Sequence, residues 1–266
     1  MDENLFFAFA LTAFAGLSTG IGSAIALFVK RTNTRFLSVS LGLSAGVMLY
    51  VSFVEILPKA QDSLTAALGE RPGTWAAVGS FFGGLIVAAV IDRIIPAVHN
   101  PHEARPVEAL QHKPDQRKLA RMGLLTAVAI AIHNFPEGLA TFGAALTDPT
   151  IGLSIAIAVA IHNIPEGISV SVPIYYATGS RKKAFWLSAL SGLSEPVGAL
   201  VGYGLFRAFF SESVMGVLFG VVAGIMVFIS LDELFPTARE YGEGHLAIYG
   251  VVAGMAIMAL SLLLLQ

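Results

Sequence analysis

The twenty residues LGLSAGVMLYVSFVEILPKA, positions 41–60, return as FGVVAGIMVFISLDELFPTA at positions 219–238. At this offset of 178 the identical pairs are Gly42/Gly220, Ala45/Ala223, Gly46/Gly224, Met48/Met226, Ser52/Ser230, Glu55/Glu233, Pro58/Pro236 and Ala60/Ala238. Chance likeness between two apolar helices would fall on Leu, Ile and Val. These matches fall on Gly, Met, Glu and Pro, so the chain carries an internal repeat.

The repeat lies in a membrane sequence. Of 266 residues, 55% are hydrophobic and 13% charged, and the mean hydropathy is +0.75. That composition cannot cover a water-soluble globule. A net charge of −2 gives phosphates no basic face, which excludes nucleic-acid binding. With no cysteine, disulfides and thiolate metal ligands are excluded too. Apolar runs at 5–29, 36–58, 75–91, 122–146, 151–177, 184–206, 214–236 and 246–265 predict eight helices. Each can cross the hydrocarbon at ~1.5 Å per residue, the third only just. Asp2 and Glu3 stand where a cleavable signal would be basic, so the first run is expected to be retained.

Basic residues set the orientation. With the N-terminus outside, thirteen lie on inner loops: Lys30, Arg31, Arg35, Arg93, Arg105, Lys113, Arg117, Lys118, Arg121, Arg181, Lys182, Lys183 and Arg239. Lys59, Arg71 and Arg207 fall outside. Both termini are therefore expected outside, with helices two and seven running in opposite directions. An inverted repeat of this kind is a transporter signature, because a pseudo-two-fold in the membrane plane supplies matched inward-open and outward-open states. The fold expected is all-α and polytopic: one transmembrane domain over 1–266, eight helices in a 3+2+3 inverted-repeat bundle, with helices four and five on the axis. The polar stretch 96–120, with His99, His102 and His112, reads as a flexible cytoplasmic loop. Glycines four apart at Gly16/Gly20, Gly42/Gly46, Gly79/Gly83 and Gly198/Gly202 read as helix-packing seams.

Helices four and five carry HNFPEG, His133 to Gly138, and HNIPEG, His162 to Gly167. The His and Glu of each stand at i and i+4 on one helix face, with Asn one position round. Counting residues from the helix ends places His133, His162 and Glu195 at a similar depth, roughly 16–18 Å in. Pro136 and Pro165 are expected to kink the helices and free the carbonyls of Ile132 and Ile161. Buried Glu137, Glu166 and Glu195 need a counter-charge, and these spans offer no Lys or Arg, so cations supply it. Imidazole, amide and carboxylate suit Zn²⁺, Fe²⁺, Mn²⁺ or Co²⁺ without choosing among them, and the missing thiolates argue against Cu(I). The metal-ligand candidates are His133, Asn134, Glu137, His162, Asn163, Glu166 and Glu195. A second group, Met48, Glu55, Asp92, Asp232 and Glu233, is a weaker candidate for the ion path; Met48 and Met226 read more readily as gap fillers, and Asp92, Asp232 and Glu233 have the alternative reading of solvated helix ends. No resident catalytic cofactor is expected.

The motifs HNFPEG and HNIPEG on consecutive helices, SGLSEPVGA (191–199) on the next, and eight spans with an outside N-terminus resemble the ZIP family of zinc and iron transporters over essentially the whole chain. The resemblance implies uptake of divalent cations, Zn²⁺ and also Fe²⁺, Mn²⁺ and Co²⁺, into the cytoplasm across a bacterial inner membrane by alternating access. It implies a binuclear site that binds Zn²⁺ and Fe²⁺ as transported substrates. One ion would use His133, Glu137, His162 and Glu166; the other Asn134, Glu137, Asn163, Glu166 and Glu195. The partners expected are divalent metal ions and the lipid bilayer, with a homodimer one form open to the chain. The main rival is an intramembrane metal-dependent hydrolase with a zinc-bound water. It would want an HExxH helix, yet here Asn follows His in both hexapeptides. A cation channel is disfavoured because tight His/Glu coordination would hold a divalent ion too long.

Overall fold

The computed structural model describes residues 3–28, 34–94, 131, 134–206, 211–242 and 245–265. The loop expected at 96–120, His133, and the start of the fourth span lie outside these residues. What is described is helical: α1 Glu3–Phe28, α2 Thr34–Val51, α3 Leu57–Leu68, α4 Glu70–Ile94, α5 at 134–147, α6 Pro149–Thr178, α7 Arg181–Gly192, α8 Ser194–Phe206, α9 Glu212–Ile229, α10 Phe235–Tyr241 and α11 Leu246–Leu265. Among the described residues seven segments are long and apolar enough to span, and α5 belongs to the eighth. The chain is a multi-pass membrane protein.

The offset of 178 is written into the backbone. A π-turn at Ser52–Ile56 joins α2 to α3, and its mate at Ser230–Leu234 joins α9 to α10. In each, an amide reaches back five residues: Leu57 N–H donates to the Ser52 carbonyl, and Phe235 N–H to that of Ser230. Pro58 and Pro236 follow at once. A proline clashes with the carbonyl four residues earlier, and the wider turn makes room for its ring so that the helix continues. The second span therefore reaches Leu68 and the seventh Glu240, 31 and 29 residues long, well beyond the expected ends at Pro58 and Pro236. The third span also starts earlier than expected, at Glu70.

Backbone contacts extend the two-fold to every outer helix. A Cβ on Gly46 would strike the backbone of Val251, and one on Gly224 that of Phe81; a Cβ on Gly84 would strike Val221, and one on Gly254 Leu43. These contacts exchange α2 with α9 and α4 with α11. Gly22 meets the Ile164 backbone as Gly198 meets Phe135, and Gly167 meets Thr19 as Gly138 meets Glu195, so α1 exchanges with α7/α8 and α5 with α6. Gly16 and Gly192 meet each other, which puts the pseudo-axis between them. In lipid, such backbone approach brings dispersion contacts that apolar side chains alone do not provide.

Ser38 bonds the Ala238 carbonyl, whereas Gly216 abuts Leu64 and Ala60, so α2/α3 and α9/α10 run antiparallel. The repeat is inverted. Spans two, five and seven are 56%, 67% and 67% buried, against 28% and 33% for three and eight, which places the latter two at the periphery. Contacts sort the helices into two groups: α1 with α5, α6, α7 and α8, and α2, α3 and α4 with α9, α10 and α11. They meet where α2 packs on α6 and where Gly143 of α5 meets Met215 of α9. The seam reading of Gly79/Gly83 needs correction: among the described residues a Cβ at either meets nothing within 4 Å, so these glycines pack on no described helix.

Candidate metal site

Glycines position the site. Gly138 and Gly167, each following the hexapeptide Glu, let the backbones at Glu195 and Thr19 approach, which draws α5 and α6 onto α8 and α1 at the ligand level. Pro165 does not interrupt α6, which stays helical from Pro149 to Thr178. The interruption comes in the next span, where Leu193 turns between α7 and α8 ahead of Pro196. Glu195 thereby stands in the first turn of α8, where the helix dipole favours a carboxylate.

Five expected ligands converge. His162 Nε2 lies 2.8 Å from Glu166 Oε1, one turn on, and 4.0 Å from Glu137 Oε1 on α5. Tetrahedral zinc, with bonds of ~2.0–2.1 Å, separates its ligand atoms by roughly 3.3 Å, so the two spacings bracket that of a shell. Asn163 Nδ2 donates to the Ala15 carbonyl at 2.8 Å and to Glu195 Oε1. Both amide hydrogens are thus occupied while Oδ1 has no hydrogen-bond partner, the orientation that offers an oxygen to a cation. Glu195 Oε2 is likewise without a hydrogen bond. Asn134, Glu137, His162, Asn163, Glu166 and Glu195 are all at most 4% exposed. The sequence has no Lys or Arg between 122 and 180. Among the described residues no three His, Asp or Glu form a ready metal cluster; His162 and Glu166 bond to each other, and His133 lies outside the described residues.

The weaker candidates lie on elements other than α5, α6 and α8. Met48 and Met226 are buried in the main apolar cluster. Glu55 and Glu233 lie within the two π-turns, with α3 and α10 continuing beyond them, and Asp232 beside Glu233 is exposed. The expectation that the pair Asp232 and Glu233 marks a helix end is corrected by that continuation. Asp92 is half-buried near the end of α4.

Two residues escaped the sequence reading. Ser44 Oγ lies 2.6 Å from His162 Nδ1 and is fully buried. Thr19, buried with an unpartnered hydroxyl, occupies the symmetry position of Glu195. The repeat alignment contained Ser44, but its mate there is Val222, so identity could not point to it.

A family model described as ZIP Zinc transporter matches residues 96–262. The protein called zinc transporter ZupT in Streptococcus mutans serotype c is 61% identical over 264 residues, 99% of either chain. Its namesake in Lysinibacillus sphaericus is 60% identical over 268 residues, spanning 100% of both. That of Clostridium perfringens is 56% identical over 276 residues, 98% of this chain and 97% of its own. With a membrane-spanning inverted repeat, a buried His/Asn/Glu centre and full-length likeness to these transporters, the chain belongs to the ZIP zinc transporter family.

Proposed function

We propose that the protein takes up Zn²⁺, together with Fe²⁺, Mn²⁺ and Co²⁺, into the cytoplasm by alternating access through the site where α5, α6 and α8 meet. One observation carries this reading: buried Glu137, His162, Asn163, Glu166 and Glu195 converge from three helices at the pseudo-axis. Three buried carboxylates cost several kcal/mol each unless a positive charge neutralises them, and the sequence offers no Lys or Arg between 122 and 180. The ligand types fit intermediate divalent ions. Relatives named as transporters argue against the hydrolase reading.

The finer assignment is binuclear, with His133, Glu137, His162 and Glu166 around one ion and Asn134, Glu137, Asn163, Glu166 and Glu195 around the other. Both termini lie outside, as the basic residues dictate. The test is a competition series of the four metals in reconstituted vesicles, with internal pH recorded and bound metal counted on purified protein. Two zinc ions per chain and mutual competition are expected; one ion per chain, or no competition by Fe²⁺, overturns the corresponding part. Asn163→Ala, which removes one oxygen ligand and leaves the shared glutamates, should change the order of metal preference more than total uptake. An unchanged order overturns its role as a ligand.

The assembly is a homodimer across the outer face of α4. Gly79 and Gly83 are open there beside exposed Phe82 and Ile86, and close backbone approach favours helix association in lipid. The native chain has no cysteine, so Gly83→Cys gives a unique cross-link. Oxidation in native membranes should give a covalent dimer, and its absence would sink this interface.

A further inference from the structure

The Ser44 hydroxyl meets the ring of His162 on the nitrogen that faces away from the carboxylates. Nδ1 is 2.6 Å from Ser44 Oγ, while Nε2 faces Glu166 and Glu137. A neutral imidazole has one N–H and one bare nitrogen, and only a bare Nε2 can bind a cation. The proton then sits on Nδ1 and requires an acceptor. Ser44 Oγ stands at that place, fully buried from water. A hydroxyl also donates, so the same side chain can serve the empty site, where Nε2 carries the proton toward Glu166 and Nδ1 is bare. Val222, the repeat mate of Ser44, is buried and can do neither.

The bond also crosses between the two helix groups. Ser44 is on α2 and His162 on α6, whereas Asn163 and Ser188 find their partners within the group of α1 and α6. We propose that Ser44 is a positioning residue for metal capture, holding His162 as the Nδ1–H tautomer with Nε2 turned into the carboxylates, from the helix group opposite. The role rests on reading His162 as a metal ligand. It differs from a packing role because it needs the hydroxyl and not merely the volume.

Equilibrium Zn²⁺ binding to the purified full chain tests it with Ser44→Ala, Ser44→Thr and His162→Gln. Ser44→Ala should lower affinity ~10- to 100-fold, the usual effect of losing a hydrogen bond behind a ligating histidine, and Ser44→Thr should restore it. ¹⁵N spectra of histidine-labelled, zinc-loaded protein give the second readout. The Nδ1–H signal of His162, assigned by its loss in His162→Gln, should weaken in Ser44→Ala. Wild-type affinity in Ser44→Ala beside lost affinity in His162→Gln overturns the positioning role and leaves the ligand reading intact. Wild-type affinity in His162→Gln overturns the ligand reading itself. Equal loss in the Ala and Thr variants, with the tautomer signal unmoved, also overturns the proposal.

Discussion

Glu166→Ala should reduce zinc uptake to background at wild-type expression, and Glu137→Ala should do the same. Each carboxylate is shared by both ions in the proposed site, so one substitution removes a ligand from each. Losing a partner of a ligand costs ~10- to 100-fold in affinity, and losing a doubly used ligand should cost at least about 100-fold. The fold should survive. Removing a carboxylate from a buried cluster relieves mutual repulsion, and the glycine approaches that hold α5 and α6 are backbone contacts independent of the Glu side chains. Uptake of ⁶⁵Zn, normalised to protein in the membrane, decides it; normal transport by Glu166→Ala would refute the shared-ligand assignment.

The second large effect is on pH. Metal binding needs bare imidazole and ionised carboxylate, so protons and metal compete for the same atoms. The sign follows: apparent affinity is highest at high pH and falls as pH drops. Below the ordinary histidine range of ~6.5 it should fall by about tenfold per pH unit for each proton displaced. Equilibrium binding from pH 5 to 8, wild type against Glu195→Gln, should show a shallower dependence in the variant, which has one acid fewer. A flat wild-type profile would mean that no proton is displaced.

The helices and their inverted order were legible because lipid imposes simple rules: about twenty apolar residues per span, and basic residues on one side. The eight identities at offset 178 identified the helices related by the two-fold, and the matched π-turns give that match a backbone basis. Helix ends were less legible. Pro58 and Pro236 read as stops, since a proline disrupts the α-helical bond, and nothing in the local composition announces that a π-turn will absorb the ring. Near the ligands α6 stays helical through Pro165, while the break at Leu193 in the next span was not anticipated. Convergence of Glu137, His162, Asn163, Glu166 and Glu195 was readable from depth and helix face. Ser44 was not, because its value depends on which ring nitrogen it meets, a matter of tertiary placement that no spacing encodes.

Gly16 and Gly192 lie against each other on the pseudo-axis, where any change to one half is felt at once by the other. Away from that point the halves have been free to differ, and near the ligands they do: Ser44 answers to Val222, and Thr19 to Glu195. Two conformers exchanged by a two-fold are equal in energy only when the side chains obey it. Here the backbone follows it except where Leu193 breaks the mate of the continuous α1, and the polar groups beside His162 and Asn163 do not follow it. The inward and outward forms of the proposed cycle should therefore be unequal in population even before any ion or gradient acts on them.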